Sequence, residues 1–440
     1  MAEKPLLGIS DELLERIVQT VKETLASTRE AVGMSRHQAR QIISQLTAKA
    51  AEHYRLTYLE EEEREIITER IYQEVYGYGD LTQYLDDPTV TDILVNDYQS
   101  VFLVREDGTK VQAPVTFPSP QALKSYVNRI LDDVGKEVGP HNPTVTGRLT
   151  HRGRIYRIHA MSEPVSFSGV SLAIRKFRDQ AISPRQLVEQ GSWTEDLAHF
   201  YYHMTRARCN HMIAGGTSTG KTSLLNTLLH YYVPSHLRII TIETEVELYI
   251  DQTRHPDVCR WEAQEPNFEG KGEIPQWVLL KSALRYAPDI ILLGEARGSE
   301  IIDVLNAMGT GHPGSMTTVH CEHIGALLPR IDFMATVEQR GVEVSALHLL
   351  VANSLDLVTF LRKEDGLRQV ESVWEVFHAP QHQDYLSQMS DVVIQDIVGF
   401  VPLFVRKGGE LKRVHPLSPY RVQKFLRGKD PYTEDKEALQ

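Results

Sequence analysis

Gly215-Gly216-Thr217-Ser218-Thr219-Gly220-Lys221-Thr222 decides the fold. It has the form G-x-x-x-x-G-K-T. The apolar run His211-Met212-Ile213-Ala214 precedes it. Ser223-Leu224-Leu225-Asn226-Thr227-Leu228-Leu229 follows with helical spacing, and Pro234 closes that run. Strand, glycine loop and helix in this order are the setting of a P-loop. The glycines let backbone N–H groups turn inward around a phosphate, and the helix N-terminus adds partial positive charge. Lys221 is placed to reach the β- and γ-phosphates, and the Thr222 hydroxyl to hold Mg2+. The chain is expected to bind a nucleoside triphosphate.

From about residue 192 onward, helix and strand patterns alternate. Arg238–Glu243, Asp289–Gly294 and Met316–His320 read as buried strands with helices between them, which predicts an α/β core on a mainly parallel sheet. In such sheets chemistry gathers at the carboxyl ends of strands. Glu243 ends the first of these strands and Glu295 follows the second. Hydrolysis needs an acid near the γ-phosphate to orient water, so both are candidates. His312 and His320 flank the third strand and could meet a phosphate or a product water. A metal reading for them is weak, because no third ligand stands at regular spacing. Asp356–Arg362 and Leu367–Phe377, joined at Glu364-Asp365-Gly366, predict a hairpin. The tail beyond 378 mixes strand and turn signals, and Lys429–Gln440 is charged and expected to fray.

On the N-terminal side, Leu13, Ile17, Val21 and Leu25 fall at four-residue steps, as one helix face does. Residues 1–76 read as a helical accessory module, in which Glu60-Glu61-Glu62-Glu63 is a solvated face. The texture changes at Gly77-Tyr78-Gly79. Short strands at 92–96, 100–104, 154–161 and 170–177, with a helix over Leu123–Val134, predict an α+β domain over 77–180. Ser183-Pro184 marks 181–191 as a linker or short helix. The P-loop domain is expected over 192–378, with an extension over 379–440. Arg148, Arg154, Arg157 and Arg175 lie on β-like segments. They are either surface residues or cations that reach a bound phosphate.

The net charge of −12 argues against a general nucleic-acid coat or a basic membrane-surface protein. Cys209, Cys259 and Cys321 are widely spaced, so neither a zinc cluster nor a disulfide framework is indicated, and a reducing cytoplasm is expected. Glu3, Asp11 and Glu12 and the lack of an early apolar run speak against a signal peptide. No apolar run approaches the roughly 20 residues that span a bilayer.

In order along the chain, these motifs resemble the type II/type IV secretion ATPase superfamily. Within it they resemble the CpaF-type branch of pilus and tight-adherence (Flp/Tad) assembly ATPases. Asp87-Pro88-Thr89-Val90-Thr91-Asp92-Ile93-Leu94-Val95-Asn96 resembles the opening of the family's N-terminal domain, and Ile174-Arg175-Lys176-Phe177 its end. After the Walker A loop, Thr241-Ile242-Glu243 resembles the "Asp box", and Glu269-Gly270-Lys271-Gly272-Glu273 follows. Gly294-Glu295-Ala296-Arg297-Gly298 resembles the atypical Walker B, and Gly311 to His320 the "His box". The resemblance covers roughly residues 75 to 400.

It implies an N-terminal domain hinged to a RecA-like ATPase domain, and a cytoplasmic ring that is a hexamer. Such a ring acts at the inner face of the membrane on platform proteins, with direct nucleic-acid binding not expected. It implies ATP and Mg2+ as cofactors and ATP hydrolysis as the activity. Glu295 becomes the Walker B acid that polarises the attacking water, Glu243 an Asp-box acid that supports the metal or that water, and His320 the His-box histidine. Arg148, Arg157 and Arg175 become the phosphate-facing arginines. The chain departs from the pattern at three places: Thr244 follows Glu243 where the family continues with Asp, Pro313 stands where an acid is common, and Glu322 stands where Asn is common. Glu245 and Glu247 are candidates to compensate. The segment Thr150–Tyr156 reads as longer and more basic than the family's usual turn. Two other readings stay open: a type IV secretion or conjugation ATPase, and a nucleotide-binding scaffold with little turnover.

Overall fold

The four-residue apolar rhythm near the start forms a helix in the computed structural model of the chain. Ile17, Val21 and Leu25 are buried along Asp11–Ser27. Helices Arg36–His53 and Glu61–Tyr76 close on that face through Ile43, Ile67, Ile71 and Tyr72. The structure describes residues 11–27, 36–54, 56, 61–76, 78–132, 134–152, 154–177, 180–264, 266, 270–336 and 341–427. Gly77, Glu60, Glu269 and Lys429–Gln440, singled out above, lie outside the described residues. The chain forms two compact units that divide after Phe177.

The first unit carries an antiparallel sheet built from β1 (Val90–Asp97), β2 (Ser100–Arg105), β3 (Lys110–Gln112), β4 (Thr144–His151), β5 (Arg154–Met161) and β6 (Ser171–Lys176). The strand order is β3-β2-β1-β6-β5-β4. Alternation sorts its two faces. Tyr156, Ile158 and Ala160 of β5 and Leu172 and Ile174 of β6 join a core with Leu123, Val127 and Ile130 of helix Pro120–Asp132, leaving Arg157 and Arg175 on the other face. The strand β4 was expected only as a β-like segment at Arg148. The segment Thr150–Tyr156 is not a long turn but the closed end of a hairpin, in which His151 pairs with Arg154.

The second unit is organised by β7 (His211–Gly215), β8 (Ile239–Glu243), β9 (Val258–Glu262), β10 (Ile290–Ala296), β11 (Met316–Val319), β12 (Leu357–Glu364), β13 (Leu367–His378), β14 (Val393–Gln395), β15 (Val398–Lys407) and β16 (Glu410–Arg413). The strands β12, β7, β11, β10, β8 and β9 run parallel in that order. Every residue of β7, β8 and β11 is buried, as expected of parallel strands between two helix layers. Helix Glu195–Arg206 and the P-loop helix cover one face. Helices Gln276–Ala283, Glu300–Gly309, Leu327–Thr336 and Val344–Ser354 cover the other.

The β12–β13 hairpin turns at Asp365 and Gly366, both at positive φ (48° and 83°), as a two-residue primed turn requires. The sheet then continues past residue 378. The strand β15 pairs with β13 and carries β14 and β16, so the residues expected as a separate extension complete the same sheet. The segment read as a linker or short helix contains helix Pro184–Glu189, started by a reciprocal cap between Ser183 and Gln186. The Ile182 carbonyl accepts from Thr227 Oγ1 of the P-loop helix at 2.9 Å. Among the described residues no helix is long and apolar enough to cross a membrane.

Candidate functional site

The strand β7 delivers the glycine loop into the middle of the whole sheet, and helix Lys221–Thr227 leaves it. Two glycines are required by geometry. A Cβ at Gly215 would lie 2.6 Å from Thr219 Oγ1 and 2.8 Å from the Leu361 carbonyl. Gly220 sits at φ 99°, a conformation side chains rarely adopt. Lys221, though 8% exposed, has its ammonium paired: Nζ donates to the carbonyls of Gly215 at 3.1 Å and Gly216 at 2.9 Å. Burial pulls its pKa below the usual lysine range, and the charge of Glu295 opposes that.

The strands β8, β10 and β11 bring their carboxyl ends to the same place. Between β10 and β11 the register slips at Leu293/Ala296, so Gly294 and Glu295 together oppose Thr318, whose Oγ1 donates to the Gly294 carbonyl at 2.8 Å. Such a bulge re-aims a side chain next to a site. Here it carries Glu295, whose Oε2 accepts from Arg297 Nε at 2.8 Å and lies 2.7 Å from Arg297 Nη2. His320, directly after β11, stands between acid and lysine, with Nε2 2.6 Å from Glu295 Oε1 and Nδ1 3.5 Å from Lys221 Nζ. Burial and the neighbouring Lys221 lower the pKa of His320 against the pull of Glu295. A neutral ring suits both neighbours when its hydrogen is on Nε2, because an ammonium can only donate. Burial lowers the pKa of Arg297, but the hydrogen bond and charge of Glu295 outweigh it and the net shift is upward.

Glu243 ends β8 next to β10 and packs under Gly294, where an added Cβ would lie 3.0 Å from Glu243 Cγ. Its Oε2 accepts from the backbone N–H groups of Glu247 at 2.7 Å and Leu248 at 2.8 Å. Burial nevertheless raises its pKa to about 7. Glu262 Oε1 takes the N–H of Val246, and Asn226 Oδ1 of the P-loop helix takes that of Tyr249. The loop after β8 is thereby tied down, and Glu247 on it acts electrostatically on both Lys221 and Arg297.

Glu243 Oε1 is buried without a hydrogen-bond donor, and Glu295 Oε1, which faces His320 Nε2 at 2.6 Å, keeps a second lone pair. Buried acceptors of this kind suit water, either attacking or metal-bound. Among the described residues no three His, Cys, Asp or Glu side chains form a metal group of their own.

The other expected residues divide. His312 precedes β11, at the sheet end opposite His320, and its Nδ1 contacts the Ala307 carbonyl at 3.3 Å. It takes no part in the cluster. In the first unit, Arg148 on β4 lies directly opposite Arg157 on β5, and Arg157 opposite Arg175 on β6. The row ends at Asp92 on β1, which accepts from Arg175 Nε at 2.7 Å. Arg297 stands in the Walker B-like stretch with no motif role of its own. Its signal was the two-residue step from Glu295, which returns a side chain to the same side of an extended chain.

A glycine loop after a central parallel strand, with acids from two adjacent strands and a histidine from a third, defines a P-loop nucleoside triphosphatase. The profile of the type II/IV secretion system protein family matches residues 75–376. The chain belongs to that family and is an ATP hydrolase of it. A protein of Mycobacterium tuberculosis (strain ATCC 25618 / H37Rv) named as a conjugal transfer protein is 30% identical over 320 residues, covering 68% of this chain and 89% of the relative. The conjugal transfer protein TrbB of Rhizobium radiobacter is 27% identical over 291 residues, covering 66% of this chain and 84% of that protein. The crystal structure of the pilus retraction motor PilT with bound ADP shares the fold, with TM-score 0.50 and 16% identity over 79% of this chain and 85% of that one.

Proposed function

We propose that this chain is a Mg2+-dependent ATPase motor that powers assembly of a type IV-like (Flp/Tad) pilus or related secretion. The observation that carries the reading is the cluster of Lys221, His320, Glu295 and Arg297, assembled from three parallel strands around one loop. In this reading the loop N–H groups and Lys221 grip the phosphates. The Thr222 hydroxyl is the protein ligand of Mg2+, and the bound ion would neutralise phosphate charge. Glu295 orients the attacking water through Oε1, while Arg297 and His320 keep its carboxylate in place. Glu243 holds the loop after β8 with one oxygen and offers the other to metal-bound water. Arg148, Arg157 and Arg175 are the candidate cations for the γ-phosphate. Six copies would form a ring in the cytoplasm, peripheral to the membrane, that acts on platform proteins.

The experiment is steady-state Mg2+-ATP hydrolysis with Lys221→Ala beside the wild type. Turnover in the wild type that the variant lacks supports the reading, and equal rates refute it. The names of the relatives favour a second reading, a conjugation or type IV secretion ATPase. Saturable stimulation of turnover by DNA would select it over the pilus motor.

A further inference from the structure

A trans peptide points its C=O and the following N–H in opposite directions. A phosphate loop therefore has inward N–H groups only if the matching carbonyls are held outward. In this loop Gly215 and Gly216 carbonyls are taken by Lys221, and Gly216 also by Thr219 Oγ1 at 2.9 Å. These partners belong to the loop and its helix. The Ser218 carbonyl is different. Ser218 is a non-glycine residue at φ 59°, and its carbonyl accepts from Arg368 Nε at 3.0 Å, a donor 150 residues away on β13. The stem of Arg368 lies against Gly220, where an added Cβ would be 3.3 Å from its Cδ. Arg368 is itself anchored, because its carbonyl accepts from Ser192 Oγ. It stands two residues past the primed turn, whose geometry fixes the hairpin register.

We propose that Arg368 is a positioning residue for nucleotide binding. By holding the Ser218 carbonyl outward, it sets the Ser218–Thr219 peptide with the Thr219 N–H facing the phosphate. It acts through the loop backbone and not on the reacting atoms. The inference rests on the ATPase reading and deepens it.

Two variants of the full chain separate the hydrogen bond from the packing. Arg368→Met keeps the stem against Gly220 and removes the donor, whereas Arg368→Lys keeps both a stem and a donor. Arg368→Met should raise the Kd and KM for Mg2+-ATP about tenfold, as loss of a charged hydrogen bond to the loop implies. The kcat at saturation should stay within about twofold, the signature of lost binding shared by ground and transition states. Arg368→Lys should recover most of the affinity. Arg368→Met binding as tightly as the wild type, or Arg368→Lys failing as badly as Arg368→Met, would overturn the proposal. Failure of the ATPase reading shows separately, as Lys221→Ala binding ATP no more weakly than the wild type.

Discussion

Glu295→Gln separates binding from chemistry at this site. Glutamine keeps the length and shape of the side chain and removes its charge. Three contacts change: the two from Arg297 and the 2.6 Å approach of His320. Arg297 is 64% exposed, so it returns to solvent and the fold loses at most about 1 kcal/mol. The chemical loss is larger, because a positioned acid or base contributes about 10²–10⁴-fold to such a step. The charge removed is negative and stands next to Lys221, where the phosphates bind, so ATP affinity should stay equal or improve. The variant should melt within a few degrees of the wild type, bind Mg2+-ATP at least as tightly, and turn over about a hundredfold or more slowly. Phosphate release under saturating ATP reads the rate, and a fluorescent nucleotide titration reads the affinity. A kcat within about threefold of the wild type would refute the assignment, and so would a parallel loss of affinity.

Two further predictions concern the opposite end of the sheet. Arg421 closes a buried acidic pair: its guanidinium meets Asp356 and the Val376 carbonyl, and Nε lies 3.5 Å from Glu375. Asp356 is 4% exposed and Glu375 is fully buried, so Arg421→Ala leaves two buried carboxyl groups without their cation and should cost about 3–5 kcal/mol in chemical denaturation. A change within about 0.5 kcal/mol would show that the cluster is not a clamp. Burial also raises the pKa of Glu375 to about 7 despite Arg421, as it does for Glu243. A carboxyl whose folded pKa exceeds its unfolded value stabilises the fold fully below about pH 4.5, and that contribution is lost as pH rises through about 7. Unfolding free energy should therefore fall over that window by an amount on the order of 3 kcal/mol per group, and Glu375→Gln should flatten the slope. An unchanged slope in Glu375→Gln would contradict the burial argument.

Where a local pattern sufficed, the sequence was a reliable guide. The glycine loop, the apolar runs of β8, β10 and β11 and the Asp365-Gly366 turn each carry their own signal over a few residues. What escaped depended on partners far along the chain. The strand β9 is half-buried throughout and lacks a clean alternation. The strand β15 contains Pro402, which usually argues against a sheet interior, but it pairs with Trp374 at a register slip where a missing N–H is tolerated. His312 and His320 look equivalent in sequence, yet they lie at opposite ends of one four-residue strand, and only the carboxyl end meets the loop. Arg368 reaches the site from a hairpin that has no nucleotide motif. The arginine row was visible as four scattered cations, and only the pairing register shows that three of them are neighbours.

The most direct test of the central claim is Mg2+-ATP hydrolysis measured across a size-exclusion profile, with Lys221→Ala run in parallel. The account predicts turnover confined to a hexamer-sized peak and abolished in the variant. An assembled ring that binds ATP but turns over no faster than Lys221→Ala would contradict it.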